Sequence, residues 1–132
     1  MKKLLIILIL IPLVCFGQNE IESNHIFENT SGVTNSSTVK IVEKKIYQNL
    51  IDKNIKIIDV RTPEEFEESH IKNAVNINYK SSKFIENISA LDKKNPYLIY
   101  CKSGNRSGKA SKIMDSLGFY KIYDLKGGFL NW

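Results

Sequence analysis

Residues 39–132 alternate short apolar runs with stretches of helical spacing. Ile55 to Val60 and Ala74 to Ile77 are short, mainly apolar runs; Tyr97 to Tyr100 is a third, entered through the Asn95-Pro96 turn, and Tyr120 to Leu125 a fourth. Their lengths and boundaries predict strands. Between them lie the sets Val39, Val42, Ile46 and Leu50; Phe84, Ile85, Ile88 and Leu91; and Ala110, Ile113, Met114 and Leu117. Each repeats as one face of a helix. Thr38 is placed as the N-cap of the first helix, and Gly118 stops the last. Thr62-Pro63-Glu64-Glu65 opens a short helix, with proline in its first turn and acids at its positive end. The alternation predicts an α/β domain: a mostly parallel sheet of about five strands, right-handed crossovers and helices on both faces. Ligands of such sheets collect outside the C-terminal ends of the strands. Cys101 stands at such an end.

The stretch Tyr100 to Ser111, YCKSGNRSGKAS, therefore carries a cysteine from a strand into a helix N-terminus. That terminus offers unpaired N–H groups and a partial positive charge, which hold anions and favour a thiolate over a thiol. Lys102 and Arg106 add charge of the same sign. Gly104 tolerates positive φ and lets successive N–H groups curl inward as a nest. A buried structural cysteine is the plain alternative, but it leaves the clustering of Gly, Ser and Arg behind the sulfur unexplained.

The segment CKSGNRS resembles the active-site loop of the rhodanese family of sulfurtransferases. IIDVRTPEEFEESHIKNAVNI is similar to that family's opening strand, short helix and second strand, and DLKGGFLNW to its closing glycine pair and tryptophan. The likeness runs from Val39 to Trp132. It implies a rhodanese-like fold and a persulfide carried on Cys101, with Lys102, Ser103, Gly104, Asn105 and Arg106 holding the anionic donor. It implies neither a metal nor an organic cofactor. Asp59 and Arg61 fall near the end of their strand and could assist at the rim. The resemblance makes them a brace instead, with Arg61 paired to Glu64 or Glu65. His70 is a structural residue on the same grounds rather than a base for Cys101. Gly127 and Gly128 read as a tight turn, and Trp132 as a packing residue.

Outside this region, Lys2 and Lys3 precede an apolar run from Leu4 to Val14, then Cys15-Phe16-Gly17. This fits a secretory signal cut after Gly17. As a helix, Leu4 to Phe16 reaches about 20 Å against a hydrocarbon core of about 30 Å, too short to span. Val14 is bulkier than residues usual before a lipid-modified cysteine, so lipid anchoring at Cys15 is not expected. Residues 18–38, rich in Asn, Ser, Thr and Glu, read as a flexible leader, and residues 39–132 as the single domain. His25 lies in the leader; with only His70 besides, no metal site is expected.

Removing the signal takes Lys+Arg from 19 to 17 against 14 acids, or +3, without the basic stripe of a nucleic-acid binder. It also leaves Cys101 as the single cysteine, so the mature chain holds no internal disulfide. An accessible, reactive thiol outside the cytosol is prone to oxidation, and a reducing partner is expected. The expectation is an exported, periplasmic or secreted, monomeric sulfurtransferase. Its donor is a small anion such as thiosulfate, and its acceptor a thiol, with a thioredoxin-like protein as one candidate. Two alternatives stay open: a persulfide carrier or binding module for a partner protein, and a phosphatase or arsenate reductase. Against the latter, Cys101 through Arg106 is six residues, whereas the related dual-specificity phosphatase loop resembles it with one residue more.

Overall fold

The computed structural model describes residues 38–132. The expected signal peptide, cleavage site and Cys15, and the leader as far as Ser37 with His25, lie outside the described residues. Five strands form one sheet: β1 (Val39–Val42), β2 (Lys56–Asp59), β3 (Ala74–Asn76), β4 (Pro96–Tyr100) and β5 (Lys121–Leu125). Four helices accompany them: α1 (Lys44–Ile51), α2 (Pro63–Glu68), α3 (Phe84–Ser89) and α4 (Asn105–Ser116), and a 3-10 turn at Gly128–Asn131 follows β5. Strand order is β1-β5-β4-β2-β3 and every pairing is parallel. Among the described residues no helix is long and apolar enough to cross a membrane.

The first predicted element differs. Val39 to Val42 is an edge strand, paired in register with Ile122 to Leu125, and the helix begins only at Lys44, after Glu43. Thr38 is therefore no helix N-cap. The spacing of Val39, Val42, Ile46 and Leu50 fits one helix, but two of these residues lie in the strand and two in α1. Pairing with a distant strand outweighed local periodicity, in a segment whose Val and Ile residues favour strands. This edge strand completes the five.

β2 and β4 are central strands, buried on both faces, which is why they read as unbroken apolar runs. Alternate side chains part to two cores. Tyr97, Ile99 and Cys101 join Ile58, Val60, Phe84, Ala110 and Met114 under α3 and α4. Leu98 and Tyr100 join Ile57, Tyr47, Ile71 and Leu125, with Phe129 and Trp132 packed alongside. Trp132 meets Tyr47 edge-on at 6.2 Å, as a packing residue does.

The chain leaves β2 toward β3 at one edge and leaves β4 toward β5 on the opposite side. The gap between the C-terminal ends of β2 and β4 is thus the switch point at which parallel sheets form their binding crevice. Arg61 and Cys101 follow those two ends.

Candidate active site

Three residues separate Cys101 from α4, and Gly104 is the pivot. Its φ of 103° is one that a side chain would strain. In that conformation the Gly104 N–H turns back and donates to Cys101 Sγ at 3.1 Å. The first-turn N–H groups of α4 follow at once, without carbonyl partners inside the helix and at its positive end. Cys101 itself is 1% exposed, against the accessible thiol expected from the sequence. It belongs to the core beneath α4, and its sulfur lies at the floor of the loop.

A second segment holds the loop from the side of its carbonyls. Phe129 N–H donates to the Cys101 carbonyl at 2.8 Å and Leu130 N–H to that of Lys102 at 3.0 Å. Both carbonyls are thereby engaged by backbone donors. This close approach requires Gly128: with φ of 61°, an added Cβ would lie 2.5 Å from the Cys101 carbonyl oxygen and 2.6 Å from that of Lys102. The glycine pair is the tight turn expected, and its partner is the cysteine loop.

The two arginines are each engaged by a carboxylate. Arg106 donates to both oxygens of Glu65, at 2.6 and 2.9 Å, so its guanidinium joins α4 to α2. The Arg106 hydrogen bonds bring the Glu65 carboxyl down to about 2. Glu65 also closes the capping box of α2, accepting from Thr62 N–H at 3.0 Å while Thr62 Oγ1 accepts from Glu65 N–H. Arg61 pairs with Asp59, not with Glu64 or Glu65: its Nε and Nη2 reach that carboxylate at 3.0 and 2.7 Å. Nη2 also donates to the Ser69 carbonyl at 2.7 Å. The guanidinium lies 4.2 Å from the centre of the Phe129 ring, so the pair braces the turn that holds the loop.

Beside the loop is a cleft of about 290 Å³ lined by Arg61, Glu65, Glu68, Ser69, Lys102, Phe129 and Leu130. Lys102 is its exposed cation and is not tied to a carboxylate by any ion pair among the described residues. Ser103 is exposed, and Asn105 lines a different groove, on the far side of α4. Thus Cys101, Lys102 and the Gly104 backbone come together, Arg106 stands behind them, and Asp59 supports Arg61. His70 is exposed, stacked on Phe66 at 3.8 Å with Nδ1 2.8 Å from the Phe66 carbonyl oxygen, as suits a structural residue. Phe129 and Leu130 escaped the sequence reading, because the work is done by their backbone N–H groups, which leave no mark in side-chain identity. The part of Glu65 was half visible, in the spacing Thr62-x-x-Glu65.

Comparison with known proteins agrees with this geometry. The model of the rhodanese-like domain matches residues 42–132. An uncharacterized protein of Bacillus subtilis, YqhL, is 43% identical over 76 residues, 58% of this chain and 59% of that protein, so the match spans less than two thirds of its length. Thiosulfate sulfurtransferase GlpE of Coxiella burnetii is 36% identical over 80 residues, 61% of this chain and 73% of the relative. The crystal structure of a rhodanese-related protein from Thermoplasma volcanium superposes with a TM-score of 0.62 at 31% identity, covering 70% of this chain and 89% of that one. The chain belongs to the rhodanese-like domain family.

Proposed function

We propose that this protein is a sulfurtransferase that carries sulfane sulfur as a persulfide on Cys101, taking it from a small anionic donor such as thiosulfate. The observation that carries the reading is the Gly104 N–H directed at Cys101 Sγ at 3.1 Å, at the opening of α4. A backbone donor and a helix N-terminus stabilise negative charge on sulfur in the thiolate and in the persulfide alike. The Cys101 thiolate attacks the outer sulfur of thiosulfate, a new S–S bond forms, and the bond to the sulfonate sulfur breaks with its electron pair leaving on sulfite. Cyanide or a thiolate then attacks the terminal sulfur, and the Cys101 thiolate returns as leaving group.

Lys102 supplies the attraction toward the donor, with the loop amides from Lys102 to Arg106 as hydrogen-bond donors. Burial of the sulfur favours slender donors. The six-residue span from Cys101 through Arg106, one residue shorter than the related dual-specificity phosphatase loop, weighs against phosphatase or arsenate chemistry. Export through residues 1–17 belongs to the same proposal, and N-terminal sequencing of protein from a periplasmic fraction tests it: Gln18 as first residue supports it, and Met1 retained sinks it.

Intact mass tests the chemistry. Purified protein should gain one sulfur, about 32 Da, on thiosulfate and lose it on cyanide, while Cys101→Ala stays unchanged throughout. No gain on a demonstrably reduced thiol removes thiosulfate as donor. A stable adduct released only by a particular protein thiol would make the chain a carrier.

A further inference from the structure

On the far side of α4 from the cleft is a second groove, of about 540 Å³, whose chemistry the proposed sulfur transfer does not use. One stripe of α4 forms one wall, with Asn105, Gly108, Lys109, Lys112 and Asp115; Val39 and Ile41 of β1 form the other, and Asp124 of β5 lies between them. Its volume is that of an ordinary small-molecule site.

Asp124 is 3% exposed, and its Oδ1 is buried without a hydrogen-bond partner. The Ser107 and Ser111 hydroxyls, on adjacent turns of the buried face of α4, also lack a hydrogen bond of good geometry, although Ser107 lies close enough to Asp124 to favour its ionised form. A buried carboxylate with no counter-charge is expensive, and such groups are normally satisfied by a ligand or water. The glycine at position 108 leaves Asp124 approachable: a Cβ there would meet Oδ2 at 4.0 Å, and a longer side chain would close the opening. Burial pushes the Asp124 carboxyl up to about 6, partly offset by the nearby Ser107 hydroxyl, so it is largely ionised at neutral pH.

The charges lining the groove balance, with Asp124 and Asp115 against Lys109 and Lys112. A polyamine would meet the two ammonium groups, and a simple anion would meet the buried carboxylate. A molecule carrying one charge of each sign satisfies both. We propose that this groove binds a small ammonium–carboxylate zwitterion, with its ammonium on Asp124 and its carboxylate toward Lys109 and Lys112. An ammonium has three N–H donors, and the Asp124 carboxylate can accept more than one of them. Val39 and Ile41 offer apolar contact for the connecting methylenes.

The test is a titration of the full chain, followed by the backbone amide resonances of Gly108, Lys112 and Asp124. The probes are glycine, β-alanine, 4-aminobutyrate and 5-aminovalerate, which space the two charges progressively, with butylamine and butyrate as single-charge controls. At least one amino acid should give saturable shifts, with affinity at least about tenfold above either control. Asp124→Asn should abolish them, and so should Gly108→Leu, which blocks the mouth and keeps the carboxylate. The dispersion of each variant's spectrum verifies folding. Absence of saturable shifts with all four amino acids overturns the proposal, as do shifts that survive in both variants. Butylamine binding as well as the best amino acid overturns the zwitterion.

Discussion

Arg106 and Glu65, 41 residues apart in sequence, share two hydrogen bonds of 2.6 and 2.9 Å that tie the helix behind the cysteine to the helix after β2. The pair is partly exposed, so screening reduces its worth to roughly 1–2 kcal/mol. Because the Glu65 carboxyl lies at about 2 in the folded protein against an ordinary 4.5, this stabilisation is complete above about pH 4.5 and is lost as pH falls toward 2. Glu65→Gln should lower stability at pH 7 by that amount, and the gap to the parent should close on acidification. Urea unfolding at a series of pH values measures it; a gap independent of pH would assign the loss to the α2 cap.

Substitutions at Gly104 and Gly128 should separate strain from collision. Gly104→Ala meets nothing within 4 Å and suffers only its φ of 103°, a cost of about 1–2 kcal/mol. Gly128→Ala adds a 2.5 Å approach to the Cys101 carbonyl oxygen, so it should cost at least about 3 kcal/mol and move the loop. Thermal unfolding paired with thiosulfate–cyanide turnover checks both: Gly128→Ala should lose more activity than Gly104→Ala even at temperatures where each is fully folded.

The buried Asp59–Arg61 pair, whose side chains are 0% and 5% exposed, should behave as a brace. Asp59→Ala strands a buried guanidinium and should cost about 3–5 kcal/mol. The double variant Asp59→Leu, Arg61→Met should lose less than the sum of its single changes. A double-mutant cycle on unfolding free energy reads this coupling; additivity would mean that the pair does not act as a unit.

Asp124 gives the opposite pH signature to Glu65. Burial raises its carboxyl from an ordinary 3.8 to about 6, so the unfolded chain ionises first and stability falls as pH rises from near 4 through 6. Asp124→Asn should therefore stabilise the protein by about 3 kcal/mol at pH 8, with the gain shrinking to nothing near pH 4. Tyr47, whose phenol is pushed up chiefly by burial and further by Tyr100 and Asp124, remains neutral across this range and does not disturb the comparison. Melting temperatures of the two proteins from pH 4 to 8 decide the matter.

Spacing along the chain was enough to place β2, β4, β5 and the C-terminal end of α4 to within a residue or two, and with them the cysteine at the end of a parallel strand. Buried parallel strands are apolar on both faces and need no partner to be recognised. The positive φ of Gly104 was likewise legible, because a strand-to-helix turn with glycine is a local matter. The edge strand β1 was not, since four residues with Val and Ile fit either period until β5 lies beside them. Nor were the Asp59 partner of Arg61, the Glu65 partner of Arg106, or the backbone bonds from Phe129 and Leu130 that hold the cysteine loop. Apart from Asp59 and Arg61, which stand two residues apart, those choices depend on which chain segments the sheet order brings within about 3 Å, the reach of a hydrogen bond. The serines at 107 and 111 carried polar identity onto the buried face of a helix. Burial of the Asp124 carboxylate beneath that face is likewise a consequence of packing between elements, which no period along one element encodes.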